Sequence, residues 1–340
     1  MTDAIILGGT AGVGRAVVHA FVRRGISVGV VARDENRLNA LRDAYPEGVV
    51  KIASADVGDA DALATAVADL CANNAPDVWV NCAMITSFSR FVDVDPAEFD
   101  QIVRTTFLGQ VNGTRLALRW MNRGNIVHIG SGLAYRPVPG QAAYVAAKHA
   151  INGFVGALRS ELLADRPDLH LSLVQLPAMN TPQFEWARNR LDMKPQPAPP
   201  VYHPDVAAQA VLKAIDGNLR EVLVGQSVLK LMFGDMILPG YIDRRLSRNG
   251  IEMQKSDKPD PGGRDDNLFT PVQRRFSAAG DFDGEVNQSA VTVNGDTARK
   301  VLVGGIVAAG FGLGLAAATL ARRRRRTLAA PAVHTRHLTK

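Results

Sequence analysis

Tyr144 and Lys148 stand four residues apart in the alanine-rich run GQAAYVAAKHA, Gly140 to Ala150. On an α-helix, positions i and i+4 share a face, so both side chains point the same way. A phenol has a pKa of about 10 and is a poor base at neutral pH, but an ammonium beside it favours the phenolate and lowers that value. In the opposite direction the same phenol donates a proton to an oxygen that is gaining charge. The pair is therefore equipped for proton transfer at a carbonyl or alcohol. Tyr-x-x-x-Lys also occurs on ordinary helix faces, so the rest of the chain decides between the two readings.

LGGTAGVG, Leu7 to Gly14, follows a short apolar run and opens a helical pattern, with Gly8, Gly12 and Gly14 in G-x-x-x-G-x-G spacing. Glycine frees the turn's dihedrals and lets the backbone approach a ligand, while the helix N-terminus offers N–H groups and a positive dipole end to a pyrophosphate. The second apolar run ends VVARDENRL, where a fold that takes NAD usually carries an acid for the ribose hydroxyls. Here Ala32 is neutral and Arg33 follows it. A guanidinium in that place can hold a 2′-phosphate through paired charged hydrogen bonds, so NADP(H) is the expected cofactor.

The elements that position these groups alternate along the chain. Apolar runs at Ala4–Leu7, Ser27–Ala32, Val49–Ala53, Val78–Asn81, Asn125–Ile129, His170–Gln175 and Glu221–Val224 predict strands. Helical patterns lie near 13–24, 34–45, 59–73, 96–120, 141–164 and 204–216. Continuous apolar strands separated by helices predict an α/β fold, a doubly wound parallel sheet of Rossmann type. The proline-rich stretch 182–204 breaks this rhythm just after a strand's C-terminal end, where such sheets bind ligands, and reads as a loop covering the substrate.

Together these pieces resemble the short-chain dehydrogenases/reductases over roughly residues 3–225. The glycine turn matches, and Asp56-Val57 resembles the family's adenine-contacting pair. Asn81-Cys82-Ala83-Met84 stands where the family has Asn-Asn-Ala-Gly. Ser131, 13 residues before Tyr144, completes the family's Ser…Tyr-x-x-x-Lys set with Lys148. Pro177 and Thr181 resemble its nicotinamide segment, one residue shorter and with Ala178 for glycine. The resemblance implies catalysis by Ser131, Tyr144 and Lys148. It also implies cofactor binding through Gly8, Gly12, Gly14, Arg33, Asp56, Val57, Asn81, Tyr144, Lys148, Pro177 and Thr181, with Lys148 bonding the nicotinamide ribose. Family members commonly form homo-oligomers. One departure stands out, because Thr106 in RTTFLG occupies the place of a catalytic asparagine that shapes a helix break and a proton relay.

Composition sets limits on the rest. The chain has 340 residues, 46% hydrophobic and 21% charged, which fits a packed globular protein. Arg322 to Arg326 alone carry five of the positives behind the net charge of +6, so the balance gives no case for nucleic-acid binding. Cys71 and Cys82 are too few for a disulfide framework or a zinc site, and no metal-ligand spacing is present. The opening MTDAIILGG reads as a strand rather than a signal peptide. His128 and His19 read as packing residues, and Phe88, Phe91, Phe184 and Trp186 as either packing or pocket lining.

Residues 1–250 thus read as a single dehydrogenase/reductase domain, 251–300 as a polar linker, 301–321 as an apolar helix and 322–340 as a basic tail. Twenty-one uncharged residues in a helix reach about 31 Å, near a bilayer's hydrocarbon thickness. The expectation is membrane-lipid contact through 301–326, with the catalytic domain in the cytoplasm. The expected function is NADP(H)-dependent interconversion of a carbonyl and an alcohol on an apolar or amphipathic small molecule. A catalytically weak dinucleotide sensor and a membrane-recruited scaffold are the alternatives.

Overall fold

The computed structural model describes residues 2–72, 74–274, 276–282, 284–305 and 307. The first half alternates β1 (Ala4–Leu7), α1 (Gly12–Arg23), β2 (Val28–Ala32), α2 (Glu35–Arg42), β3 (Val50–Ser54), α3 (Ala60–Cys71) and β4 (Val78–Asn81). Next come the short β5 (Ser87–Phe88), then α4 (Pro96–Val103), α5 (Gly109–Trp120), β6 (Gly124–Ser131), α6 (Ala142–Asp165) and β7 (Leu169–Leu176). The second half adds β8 (Ala178–Met179), α7 (Gln183–Trp186), β9 (Arg188–Asn189), β10 (Met193–Pro195), β11 (Val201–Tyr202), α8 (Pro204–Asp216) and β12 (Glu221–Val224). It closes with α9 (Gly225–Ile237), α10 (Pro239–Asn249), β13 (Lys255–Pro259), β14 (Val286–Asn287) and β15 (Thr292–Asn294).

The main sheet runs β15-β12-β7-β6-β4-β1-β2-β3. All its pairings are parallel except that of β12 with β15. Alternate residues of each strand serve opposite faces, as the pleat requires. Ala4 and Ile6 of β1 join Phe21 of α1, Leu41 of α2 and Val211 of α8 in one core layer. Ile5 and Leu7 join Leu63 of α3, Ala117 of α5 and Ile151 of α6 in the other. Strand order reverses between β1 and β4, opening a crevice at the strands' C-terminal ends.

Local chemistry fixes the element ends. Asp34 and Asp59 cap α2 and α3 with their carboxylates, and Pro96 opens α4 behind a capping box of Asp95 and Glu98. The stretch expected as one helix over 96–120 is interrupted by a π-helical turn at Arg104–Leu108. The 182–204 stretch holds α7 and three short strands, and its Arg188 and Arg190 both bond the buried Glu98.

The C-terminal half departs from the sequence expectation. α9 and α10 extend the body past β12, and residues 251–294, expected as a linker, belong to the same compact unit. β13 pairs with β10, β14 with β11, and β15 with β12. Leu268 is fully buried. The segment is polar and aperiodic because main-chain hydrogen bonds and a few apolar anchors hold it, neither of which leaves a repeating pattern. The second unit, from residue 295 on, is helical over 295–305. Among the described residues no helix is long and apolar enough to cross a membrane. Residues 308–340, with most of the expected apolar helix and all of Arg322 to Arg326, lie outside the described residues.

The burial of Leu268 separates a folded segment from a linker. Leu268→Ala should lower stability in urea unfolding by about 2–4 kcal/mol, the scale of a core leucine truncation. A linker position would leave the midpoint unmoved.

Candidate active site

The crevice holds a cavity of about 650 Å³ that runs from the turn after β1 to the start of α6. At the turn, Gly8 adopts φ +88°, and a Cβ there would lie 2.6 Å from the Ala83 Cα. A Cβ on Gly14 would lie 2.0 Å from the Gly8 carbonyl oxygen. Only glycine lets the α1 N-terminus sit this close to β1 and β4, and the backbone cradle that results fits a dinucleotide's phosphates.

Ser131 ends β6, and Tyr144 and Lys148 lie on the first two turns of α6; all three line the cavity. The Ser131 amide donates to Gln175 Oε1 at 2.8 Å, and Gln175 in turn donates to Asn152 Oδ1 at 2.8 Å. The Ser131 hydroxyl accepts from the Leu133 amide at 3.1 Å. The Lys148 Nζ donates to the Ile129 carbonyl at 2.6 Å and lies 5.6 Å from the Tyr144 ring centroid. Burial pushes the Tyr144 phenol up to about 12, opposed by the Ser131 side chain. Burial also brings the Lys148 ammonium down to about 8. The lysine is itself desolvated and aimed at a carbonyl, so burial governs both groups.

Thr106 lies inside the π-helical turn and is fully buried. Its hydroxyl donates to the Ile85 carbonyl at 2.9 Å and accepts from the Ile85 amide at 3.1 Å. One hydroxyl thus fastens the helix break to the loop after β4. Asn81, expected at the cofactor, is turned away from the cavity. It accepts from Trp79 Nε1 at 3.1 Å and donates to Thr114 at 3.2 Å, which ties β4 to α5. Cys82 lines the cavity with a thiol pushed up to about 12 by burial, so it is no nucleophile. His128 is buried and held down at about 3 by burial, with Nδ1 2.9 Å from Gln110 Oε1; it is a packing residue. Phe88 and Phe184 stack with centroids 5.6 Å apart on the cavity wall, whereas Phe91 is exposed.

At the other end of the cavity stand Arg33, Asp34, Arg37, Asp56 and Val57. Arg33 is not a free surface cation. It donates to the carbonyls of Asn267 at 2.7 Å and Phe269 at 3.3 Å, and its Nη1 lies 3.8 Å from Asp56. Arg37, which the sequence reading passed over, stacks on Trp186 at 4.5 Å and pairs with Asp34 at 3.3 Å. Burial holds both guanidinium groups below the usual arginine value. Pro177 and Thr181 line the cavity, and Thr181 packs on Gly12. Sequence reasoning also missed Gln175 and the wall formed by Asn267, Pro271 and Val272. A charged residue one helical turn past Arg33 was a signal for Arg37; nothing local marked the rest. Among the described residues no cluster of metal-ligating side chains occurs.

The profile of the family described as short chain dehydrogenase matches residues 2–191. The uncharacterized oxidoreductase YxnA of Bacillus subtilis is 27% identical over 263 residues, 75% of this chain and 74% of that protein. The 3-ketodihydrosphingosine reductase TSC10 of Cryptococcus neoformans is 28% identical over 180 residues, 49% of this chain and 54% of that protein. Among solved structures, a short-chain dehydrogenase from Streptomyces avermitilis aligns with a TM-score of 0.62 at 23% identity, over 73% of this chain and 96% of its own, a likeness of fold.

The buried lysine gives a pH test. Its value falls from 10.5 in the unfolded chain to about 8 when folded, so the folded state disfavours the proton. Between those values the unfolded state binds more protons, and stability attributable to Lys148 rises with pH. Lys148→Met keeps the packing without the charge. It should gain on the wild type at pH 7, and the gap in unfolding free energy should narrow by about 2–3 kcal/mol between pH 7 and 10. A gap independent of pH would mean that the amine is not buried.

Proposed function

The chain belongs to the short chain dehydrogenase family, whose members interconvert C=O and CH–OH groups with a nicotinamide dinucleotide, and within it we propose an NADP(H)-dependent reductase of apolar or amphipathic carbonyl compounds. The observation that carries this reading is the convergence of Ser131, Tyr144 and Lys148 on one cavity with the glycine turn. The bound dinucleotide supplies hydride chemistry to that cavity. Every other requirement falls on the chain's own side chains.

Tyr144 is the proton donor. The phenol carries its proton at neutral pH; burial, which raises its value to about 12, makes it a weak acid, so transfer is driven by the charge that develops on the carbonyl oxygen. Ser131, on the same cavity and fixed through Gln175, orients that oxygen and disperses its developing charge. Lys148, close to the neutral range at about 8, stabilises the phenolate that donation leaves behind. The Thr106–Ile85 pair keeps the helix break of the family's relay with a threonine in place of the asparagine. That geometry supports turnover over a purely sensing role.

Met84, Phe88, Phe184, Leu231, Leu246 and Met253 line the substrate end. An apolar wall of this kind suits a hydrocarbon-bearing ketone or aldehyde, and similarity to a 3-ketodihydrosphingosine reductase supports the same class. For the cofactor, the absence of an acid at Ala32 and the presence of Arg33 and Arg37 support a 2′-phosphate. Attachment to a membrane through 301–326, with the body in the cytoplasm, stays part of the proposal on the uncharged run and arginine block alone.

Two measurements test this reading. Tyr144→Phe keeps the ring and removes the proton, so NADPH binding should persist while reduction across a panel of ketones and aldehydes falls about 10²- to 10⁴-fold; unchanged turnover would exclude Tyr144 as the donor. Arg33→Ala should weaken NADPH binding by roughly 1.5–3 kcal/mol and leave NADH binding nearly as it was. Equal losses for both cofactors would assign Arg33 to holding the structure alone.

A further inference from the structure

The cavity has a roof that comes from the far end of the folded unit. Residues 264–274 and 276–282 cross the crevice and are fastened on both sides of it. At one end the Arg264 guanidinium donates to the carbonyls of Phe184 at 3.2 Å and Glu185 at 3.1 Å, and Asp266 pairs with Arg188 at 2.8 Å. Leu268 enters an apolar cluster with Ile85, Ile102 and Ala143, against which Tyr144 packs. At the other end the Gly280 amide donates to the Asn180 carbonyl at 3.2 Å, and a Cβ on Gly280 would lie 2.6 Å from the Thr181 oxygen.

Between these anchors the segment touches the groups that the dinucleotide reading assigns to phosphates. Asn267 and Phe269 carbonyls hold Arg33, and the Val272 carbonyl holds Arg37. The Gly12 amide, at the start of α1, donates to the Ser277 carbonyl at 2.9 Å. The Phe276 ring lies 5.2 Å from the Arg15 guanidinium and 5.5 Å from that of Arg37. The crossing does not fill the crevice. About 650 Å³ remains, with the glycine turn, Asp56 and Tyr144 on one side and Asn267, Pro271 and Val272 on the other. Three guanidinium groups, Arg15, Arg33 and Arg37, stand here with two carboxylates, Asp34 and Asp56. The excess positive charge beside a roofed cavity suits a phosphate-bearing ligand held beneath the segment.

We propose that this segment is a clasp: it closes over the bound dinucleotide, positions Arg33 and Arg37 at its adenosine end, and must open for the cofactor to exchange. The proposal rests on the dinucleotide-binding reading given above. Val272, on the cavity wall, retains the cofactor by blocking its exit, and Phe276 holds the segment closed through its contacts with Arg15 and Arg37. Asn267 acts through Arg33 as a positioning residue, with its main-chain carbonyl as the contact. A segment that instead competed with the cofactor for Arg33, Arg37 and the Gly12 amide would be expelled on binding, and the two cases differ in sign.

The test uses the full-length protein. Hydrogen–deuterium exchange of peptides within 264–282 is measured with and without NADPH, and NADPH release is followed by its fluorescence in wild type and Phe276→Ala. Removing the ring takes away two cation–π contacts while leaving the main-chain anchors. The clasp requires slower exchange in these peptides when NADPH is present, and release at least about tenfold faster from the variant. Faster exchange on NADPH addition, or tighter binding by Phe276→Ala, would overturn the proposal in favour of a competing segment. Unchanged exchange with unchanged release would reduce the segment to passive packing and overturn it equally. If Phe276→Ala fails to fold, the direction of the exchange change in wild type decides alone. Failure of both proteins to bind any nicotinamide dinucleotide would remove the reductase reading itself, whereas binding without protection removes only the clasp.

Discussion

A buried ammonium must find an acceptor, and for Lys148 that acceptor is the Ile129 carbonyl on β6. This contact fixes the rotation and height of α6 against the sheet. One turn earlier on the same face, Tyr144 is then brought to the end of β6, where Ser131 follows Ile129 by two residues. The glycine turn depends on the same registration from the other side, because β1 reaches the β6 neighbourhood only through β4. A hydrogen bond made by a buried ammonium thus sets Tyr144 at the end of β6.

Most of this frame was legible in the sequence. β1, β4, β12 and α8 begin and end where their apolar runs and the helical pattern at 204–216 predict. Such elements are governed by local pattern, and buried parallel strands carry a strong one. Ser131, Tyr144 and Lys148 line one cavity, as the family resemblance implies for the serine and helical spacing for the other two. Thr106 shows the limit of reading by identity. A different residue type serves the helix break, because what the break needs is one group that both donates to and accepts from Ile85. Asn81 shows the converse, a matching residue whose side chain is committed to Trp79 and Thr114.

What escaped the sequence was everything held by contacts distant along the chain. Arg33 meets residues more than 230 positions away, and it meets them through carbonyls, which every residue type carries. No side-chain pattern encodes such a contact. The polar run 251–294 therefore reads as a linker although its backbone is ordered by arginines of the N-terminal half. Cys82 and Met84, the two departures within the NCAM segment, make that wall less polar than the resembling motif would be. That shift in lining is consistent with a substrate end dominated by hydrocarbon.

The short antiparallel strand β15 has a consequence for assembly. A parallel sheet ending at β12 would present a row of backbone N–H and C=O groups, a template on which another chain could add a strand. Three residues, Thr292 to Asn294, occupy that row by pairing with Val222 to Val224. β15 then becomes the edge itself, and at three residues it is a very short one, so it blunts the template for β-augmentation at this end of the sheet. A short edge gives a neighbouring strand few main-chain partners, which shifts recognition on this side toward side-chain surface, where sequence can select a partner.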